Sequence, residues 1–196
     1  MYELEALIMV PMALSSYLIF ASRRVWITGL LTGLIGILHM IHVGLNAGDI
    51  VQPIIGIAIN ISITLMFLIV GELTGNVEER ANIPPLLSIL SSSIIVLVII
   101  TSIELSAEAV IGLVLVINGS LIMVAERDLV KIMSLIILLS SGSQMLLAGT
   151  TGGESLFSGI SSMIDLIIIA CLGFMTISVY KHYGTRSIEV LSELRW

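Results

Sequence analysis

Seven long apolar stretches, separated by short polar segments, most constrain how this chain of 196 residues can fold. They cover roughly residues 4–22, 25–45, 50–70, 84–103, 109–125, 129–149 and 156–180. Each is close to the ~20 apolar residues that a helix needs to cross the hydrocarbon layer of a membrane. The pattern therefore predicts an all-α polytopic membrane protein with about seven transmembrane helices.

The composition excludes several other classes of protein. Hydrophobic residues make up 57% of the chain and charged residues 11%, whereas soluble domains carry roughly 25% charged residues. The apolar stretches lack the alternating pattern of an outer-membrane barrel. With 8 Lys and Arg against 14 Asp and Glu, the chain has no basic face that would bind nucleic acid. We therefore expect a multi-pass protein of the cell membrane, in contact with lipid.

The placement of the basic residues predicts how the chain is oriented. If it crosses the membrane at all seven stretches, every Lys and Arg falls on one side. These residues are Arg23, Arg24, Arg80, Arg127, Lys131, Lys181, Arg186 and Arg195. The loops on the other side carry Glu3, Glu5, Asp49, Glu104, Glu108 and Glu154. Because basic loops stay in the cytoplasm, we expect the N-terminus outside and the C-terminus in the cytoplasm.

This orientation divides the chain into four parts. Residues 1–70 form three N-terminal transmembrane helices, 71–83 a cytoplasmic loop, 84–180 four transmembrane helices and 181–196 a cytoplasmic tail. The loop ends in Asn82-Ile83-Pro84-Pro85, and proline suits the first turn of a helix because its missing N–H costs nothing there. The two groups of helices form one domain, since neither could fold alone in water.

Asp165 is the most conspicuous polar residue of the apolar stretches. It follows Leu156 by about 14 Å of helix, near the middle of a hydrocarbon layer roughly 30 Å thick. An acid at this depth is by default a candidate functional residue. It is either a relay for protons or other ions, or a neutral residue held by hydrogen bonds in the packing of the helices.

Other polar residues of the stretches are candidates for ion movement or for packing. His39 and His42 share a face of the second helix and could shuttle protons, or form a hydrogen-bonded packing pair. The full set of ion-path candidates is Asp165, His39, His42, Ser140, Ser141, Gln144, Ser161 and Ser162. Small and neutral polar residues let helices approach closely. The helix-packing candidates are Gly29, Gly33, Gly56, Asn60, Asn118 and Gly142.

The sequence offers no chemistry by which the chain would catalyse a reaction alone. We find no nucleophile beside a base and no glycine-rich phosphate loop. A single cysteine, Cys171, and three histidines have no metal-ligand spacing. We expect no metal or cofactor on this chain, and with so little soluble mass it is expected to be one subunit of a larger membrane complex.

Two segments of the second half resemble the E subunit of hydrogenase-4 type complexes. The first is 126–132 (ERDLVKI), which enters a helix containing Gly142 and Ser143. The second is 181–195 (KHYGTRSIEVLSELR), which fits "H-x-G-T-x-x-(I/V)-x-x-L-x-x-L-(K/R)". A polar third helix and Asn82-Ile83-Pro84 precede them in the same order, so the resemblance runs from about Gln52 to the end. The last three helices are similar to the K subunit of respiratory complex I and the C subunit of Mrp antiporters.

The resemblance implies a membrane-arm subunit of a proton- or sodium-translocating redox complex. Its partners would be antiporter-like membrane subunits and peripheral redox subunits, which would hold nickel-iron and iron-sulfur centres. The alternatives are a subunit of a Mrp-type cation/proton antiporter without a redox module, and a purely structural scaffold subunit.

This chain departs from the family pattern in its sixth and third helices. Ser140-Ser141 stand where the E subunit has a Glu-Asn pair, and neutral Asn60 or a near neighbour stands where the family has a lysine. Asp165 is the family carboxylate that carries over. Either the ion path is reduced to a hydrated passage along Asp165 and the serines, or the subunit has become a scaffold.

Overall fold

The computed structural model describes residues 2–47, 50–76, 84–103, 105–151 and 158–189. Within these ranges the chain forms seven α-helices and no β-strand. The helices are α1 (Tyr2–Ala21), α2 (Val25–Ala47), α3 (Val51–Thr74), α4 (Pro85–Ser102), α5 (Ala107–Ala125), α6 (Leu129–Thr151) and α7 (Ser158–Tyr183). The all-helical fold is confirmed, and each predicted apolar stretch corresponds to one helix.

Five of these helices are long and apolar enough to cross a membrane. They are α2, α3, α5, α6 and α7, with 19 to 24 residues each in the spanning segment. The described apolar parts of α1 and α4, Leu7–Ala21 and Pro85–Thr101, are shorter. Hydropathy therefore supports a multi-pass membrane protein, while seven crossings and the side on which each terminus lies stay predictions.

The helix ends follow from capping chemistry and from glycine. The Ser106 hydroxyl accepts a hydrogen bond from the Ala109 amide at 3.2 Å and starts α5. Asp128 does the same for α6, accepting from the Val130 amide at 2.9 Å. After α7, Gly184 has a φ of 71°, a left-handed conformation that glycine adopts without strain. These ends lie within a few residues of the predicted ones, although α3 continues to Thr74 inside the predicted 71–83 loop, of which residues 77–83 lie outside the described ranges.

The helices form one bundle in which α2 and α6 lie at the centre. The closest pairs are α5 with α6, α2 with α3 and α3 with α7, while α4 lies at the edge against α5 and α1. Helix α2 also contacts α1 and α6. The buried core therefore consists mainly of the inward faces of α1, α2, α3, α5 and α6.

Glycines on α2 let α3 approach closely. A side-chain carbon at Gly29 would lie 3.0 Å from Phe67 Cγ, and one at Gly33 would lie 3.2 Å from Thr64 Cβ. Gly56 of α3 is covered by Met40, whose Cγ would lie 2.6 Å from such a carbon. The predicted packing glycines of α2 and α3 are thus in contact with another helix of the same chain.

The pair α5–α6 is in backbone contact. A side-chain carbon at Gly142 would lie 2.9 Å from the Gly112 carbonyl oxygen, and one at Gly149 would lie 2.5 Å from the Ala109 amide nitrogen. Real Cβ atoms do not tolerate such distances, so any larger residue would force the two backbones apart. Close backbone approach of this kind is how helices gain packing energy in a membrane.

The outer surface of the bundle is apolar over most of its length. Helix α4 exposes Leu86 to 70% and Leu97 to 62%, and α7 exposes Ile167 to 64% and Phe174 to 73%. Water would disfavour so much exposed apolar surface, whereas lipid tails match it. These faces are available to lipid or to neighbouring membrane helices.

We expect Gly142→Val to destabilise the bundle by about 2 kcal/mol, because the added methyl groups overlap the α5 backbone. The measurement is the resistance of the purified chain to unfolding by sodium dodecyl sulfate in mixed micelles. Ser143→Val is the matched control, since Ser143 is the next residue and is exposed. Equal stability of the two variants would contradict the assigned packing.

Candidate functional site

Asp165 lies in a polar cluster between α6 and α7. It is 8% exposed and lies next to the Ser140 side chain of α6. The hydroxyls of Ser140 and Ser161 are 2.9 Å apart. The Gln144 amide donates to the Ser140 hydroxyl at 3.3 Å. Three of the predicted ion-path residues therefore form one hydrogen-bonded group, and Asp165 lies beside it in the apolar part of the fold.

No described Lys or Arg lies near the middle of a helix, so the cluster is electrically neutral apart from its acid. Lys131 is in the first turn of α6, and Lys181 is in the last turn of α7. A carboxyl group among hydroxyls and an amide can hold a proton, or it can bind a small cation through its oxygen atoms. The geometry supports reversible binding of an ion rather than covalent chemistry.

Two further predicted serines are buried near this cluster. The Ser162 hydroxyl lies 4.0 Å from the Met40 sulfur of α2. Ser141 is 5% exposed and faces the interior of the bundle. Asp165 and Ser162 thus place polar groups on the side of α7 that faces the other helices.

The described hydrogen bonds of the predicted histidines do not involve Asp165. His42 Nε2 is 2.9 Å from Glu108 Oε1 of α5, and Asn46 donates to the same oxygen at 3.2 Å. His39, one turn deeper in α2, is 2% exposed. No local pattern in the sequence indicates the partner of His42, because Glu108 is 66 residues away in the chain.

Asn118 and Asn60, predicted to pack helices, have different surroundings. Asn118 donates to the Ser16 hydroxyl of α1 at 2.7 Å and accepts a hydrogen bond from Ser92 of α4. Asn60 donates to the Gly56 carbonyl oxygen of its own helix at 2.8 Å. The Asn118 amide therefore joins three helices, while Asn60 fills the space left by Gly36.

The described basic residues lie at one end of the bundle, which we call the basic end. This end consists of the α1–α2 link, the end of α3, the α5–α6 loop and the segment after α7. There Arg186 Nη2 is 3.1 Å from Asp128 Oδ2, and both side chains are at most 2% exposed. Arg186 also donates to Thr74 Oγ1 at 3.2 Å and to the Gly75 carbonyl oxygen at 2.5 Å. The chain after α7 pairs with the α5–α6 loop, since the Ile188 amide donates to the Arg127 carbonyl oxygen at 2.9 Å. These contacts form a clasp that holds three chain segments together: the end of α3, the α5–α6 loop and the segment after α7.

Lys131 forms a second buried charge site at the basic end. Its ammonium donates to the carbonyl oxygens of Ile19 at 2.6 Å and Phe20 at 3.3 Å, and lies 3.4 Å from Glu126 Oε1. A cation is favoured at the C-terminus of a helix, here α1. Burial raises the pKa of Glu126, and the Lys131 ammonium opposes this in part. Lys131 and Arg186 are predicted only to lie on the same side of the membrane as the other basic residues, and the structure shows that both side chains are buried.

The described residues contain no group of three or more His, Cys, Asp and Glu side chains placed to hold a metal ion. Cys171 is exposed on α7. No protein-family profile, curated protein or solved structure matches this chain.

We expect Arg186→Gln to cost about 3 kcal/mol or more of unfolding free energy, because it leaves the Asp128 carboxylate buried without its charge partner. Arg127→Gln is the matched control, since Arg127 forms an exposed ion pair with Glu189, and exposed pairs contribute about 1 kcal/mol or less. Detergent unfolding of both variants measures the difference. A loss in Arg186→Gln as small as in the control would contradict the clasp.

We expect the stability of the chain to fall as the pH rises from about 4.5 through the raised pKa of Glu126. In this interval the folded state holds the Glu126 proton more tightly than the unfolded state, so raising the pH favours unfolding. Glu126→Gln removes this contribution and flattens the pH profile of detergent unfolding. The exposed Glu189→Gln is the control and keeps the wild-type profile; an unchanged profile in Glu126→Gln would contradict the assignment.

Proposed function

We propose that this chain is a membrane-arm subunit of a multi-subunit, energy-converting redox complex of the cytoplasmic membrane, of the hydrogenase-4, formate hydrogenlyase or complex I type. It helps couple electron transfer to the movement of protons or sodium ions, with Asp165 as the relay carboxylate. Antiporter-like membrane subunits and peripheral redox subunits are its partners, and the latter hold the nickel-iron and iron-sulfur centres. The carrying observation is the cluster of Asp165 with Ser140, Ser161 and Gln144.

The cluster has the chemistry of one station in a longer ion path. The Asp165 carboxyl binds and releases the ion, and the hydroxyls of Ser140 and Ser161 turn to donate or accept as it does so. Gln144 is half-buried, so the cluster lies close to the surface between α6 and α7. A path that continues sideways from this opening needs polar groups of a neighbouring subunit, which is why we assign a role within a complex.

The segments that carry the family resemblance also support this assignment. Residues 126–132 and 181–189 lie against each other in the clasp, through the pair of Asp128 with Arg186. Gly184 supplies the left-handed turn that brings the chain back after α7. Two separate segments of the family pattern thus contact each other in the fold, which is expected if they were inherited together.

A subunit of a Mrp-type antiporter would use Asp165 in the same way but without redox partners. Metal and flavin analysis of the complex that co-purifies with this chain separates the two proposals, since the antiporter contains neither iron nor nickel. The scaffold alternative is favoured by the neutral Ser140-Ser141 pair. In that case the glycines at 29, 33 and 142 would not be the partner surface, because they are covered by α3 and α5.

We expect Asp165→Asn to lower ion transport per electron transferred at least about tenfold in membrane vesicles that hold the complex, because the amide cannot exchange a proton. Asp165→Glu keeps the carboxyl group and restores part of the transport. Ser120→Ala is the control, since the Ser120 hydroxyl is exposed and bonds to the backbone of its own helix. Normal transport by an intact Asp165→Asn complex would reduce this chain to a scaffold.

A further inference from the structure

Helix α2 ends and α5 begins at the same end of the bundle, which we call the acidic end. His42 of α2 and Glu108 of α5 are in contact there, with 2.9 Å between Nε2 and Oε1. The His42 side chain is 6% exposed and the Glu108 side chain 26%. The pair therefore joins a buried imidazole to a carboxylate that reaches the surface.

The contact with an ionised Glu108 carboxylate favours one placement of the His42 hydrogen, and the Asn46 amide nitrogen lies 3.1 Å from the same ring nitrogen. An ionised carboxylate accepts hydrogen bonds and donates none, so the neutral His42 ring must carry its hydrogen on Nε2. The Asn46 amide nitrogen donates to the same Glu108 oxygen at 3.2 Å. His42 Nδ1 is then a bare acceptor, and it is buried with no hydrogen-bond partner among the described residues. A buried acceptor without a donor is unfavourable, and binding a proton would relieve it.

Few other described groups near the pair titrate. Helix α2 contributes His39, one turn deeper, and α5 contributes Glu108. In α3, α4 and α6 the described residues at this end are neutral, and the described side chains of α1 include only Tyr17 among titratable groups. On α7, Asp165 lies next to Ser140 rather than to the histidine pair. Among the described side chains, Glu108 would therefore balance a positive charge on His42.

We propose that His42 and Glu108 form a proton-accepting site at the acidic end, separate from the Asp165 cluster. The inference rests on the proposed ion-coupling function and names the proton as the ion at this end, because an imidazole nitrogen binds a proton and is not a sodium ligand. A proton adds to His42 Nδ1 and gives an imidazolium beside the Glu108 carboxylate. The same proton leaves Nδ1 when the ring returns to its neutral Nε2–H form, so that each proton bound is matched by one proton released.

Nuclear magnetic resonance of the histidines tests this site directly. The chain has three histidines, so the full chain labelled with nitrogen-15 histidine in lipid nanodiscs gives three imidazoles to follow against pH. Single substitutions to Gln assign the signals, and exposed His182 is the internal reference. We expect His42 to change reversibly from the Nε2–H form to the imidazolium.

The partner carboxylate supplies the decisive comparison. Glu108→Gln is expected to reduce the proton-binding constant of His42 about tenfold or more, because a hydrogen bond to a charged group is lost. Glu108→Asp keeps the charge on a shorter side chain and gives an intermediate value, which covers the case in which Glu108→Gln fails to fold. The reference His182 stays unchanged in both variants.

A His42 ring that stays neutral throughout the titration, or one that titrates alike in wild type and Glu108→Gln, would overturn this inference. The two proposals fail separately. Asp165→Asn is expected to leave the His42 titration unchanged while it lowers transport. Normal transport in that variant would therefore reject the relay role of Asp165 without affecting the histidine measurement.

Discussion

In a helix that crosses a membrane, every polar group must be satisfied by protein, because lipid supplies no hydrogen bonds, and five helices of this chain are long and apolar enough to do so. The helices satisfy the backbone, and the described polar side chains bond either across contacts between helices or to the backbone of their own helix. Asn118 bonds to α1 and α4, Ser140 bonds to Ser161 across α6 and α7, and Thr64 bonds to its own backbone.

The two ends of the bundle meet this constraint in different ways. At the basic end, the charges of Arg186, Asp128 and Lys131 are buried and held by opposite charges and by carbonyl oxygens at helix ends. This network holds together the ends of α1 and α3, the α5–α6 loop and the segment after α7. Its charged groups have little freedom to exchange ions. The Asp165 cluster and the His42–Glu108 pair contain fewer and more accessible charges, which is what reversible ion binding requires.

Much of the fold could be predicted, because apolar stretches of about 20 residues indicate helices that can cross a membrane. The apolar stretches locate all seven helices to within a few residues, and the charged and turn-rich segments between them mark the ends. For the site, the sequence indicates Asp165 by its depth in an apolar stretch, and Ser140, Ser161 and Gln144 as polar residues of such stretches. Hydropathy places Glu108 in a loop and Arg186 in the cytoplasmic tail, because it cannot show which distant segments meet.

The sequence by itself determined that the chain is helical and apolar enough to suit a membrane, and it predicted the common end at which the described basic residues lie. These properties depend on residue type and on spacing along the chain, which act locally. Only the tertiary structure decided that Glu108 faces His42, that Lys131 caps α1 and that Arg186 returns to Asp128. These pairings join residues 58 to 112 positions apart, and they arise from how the helices pack rather than from any local pattern.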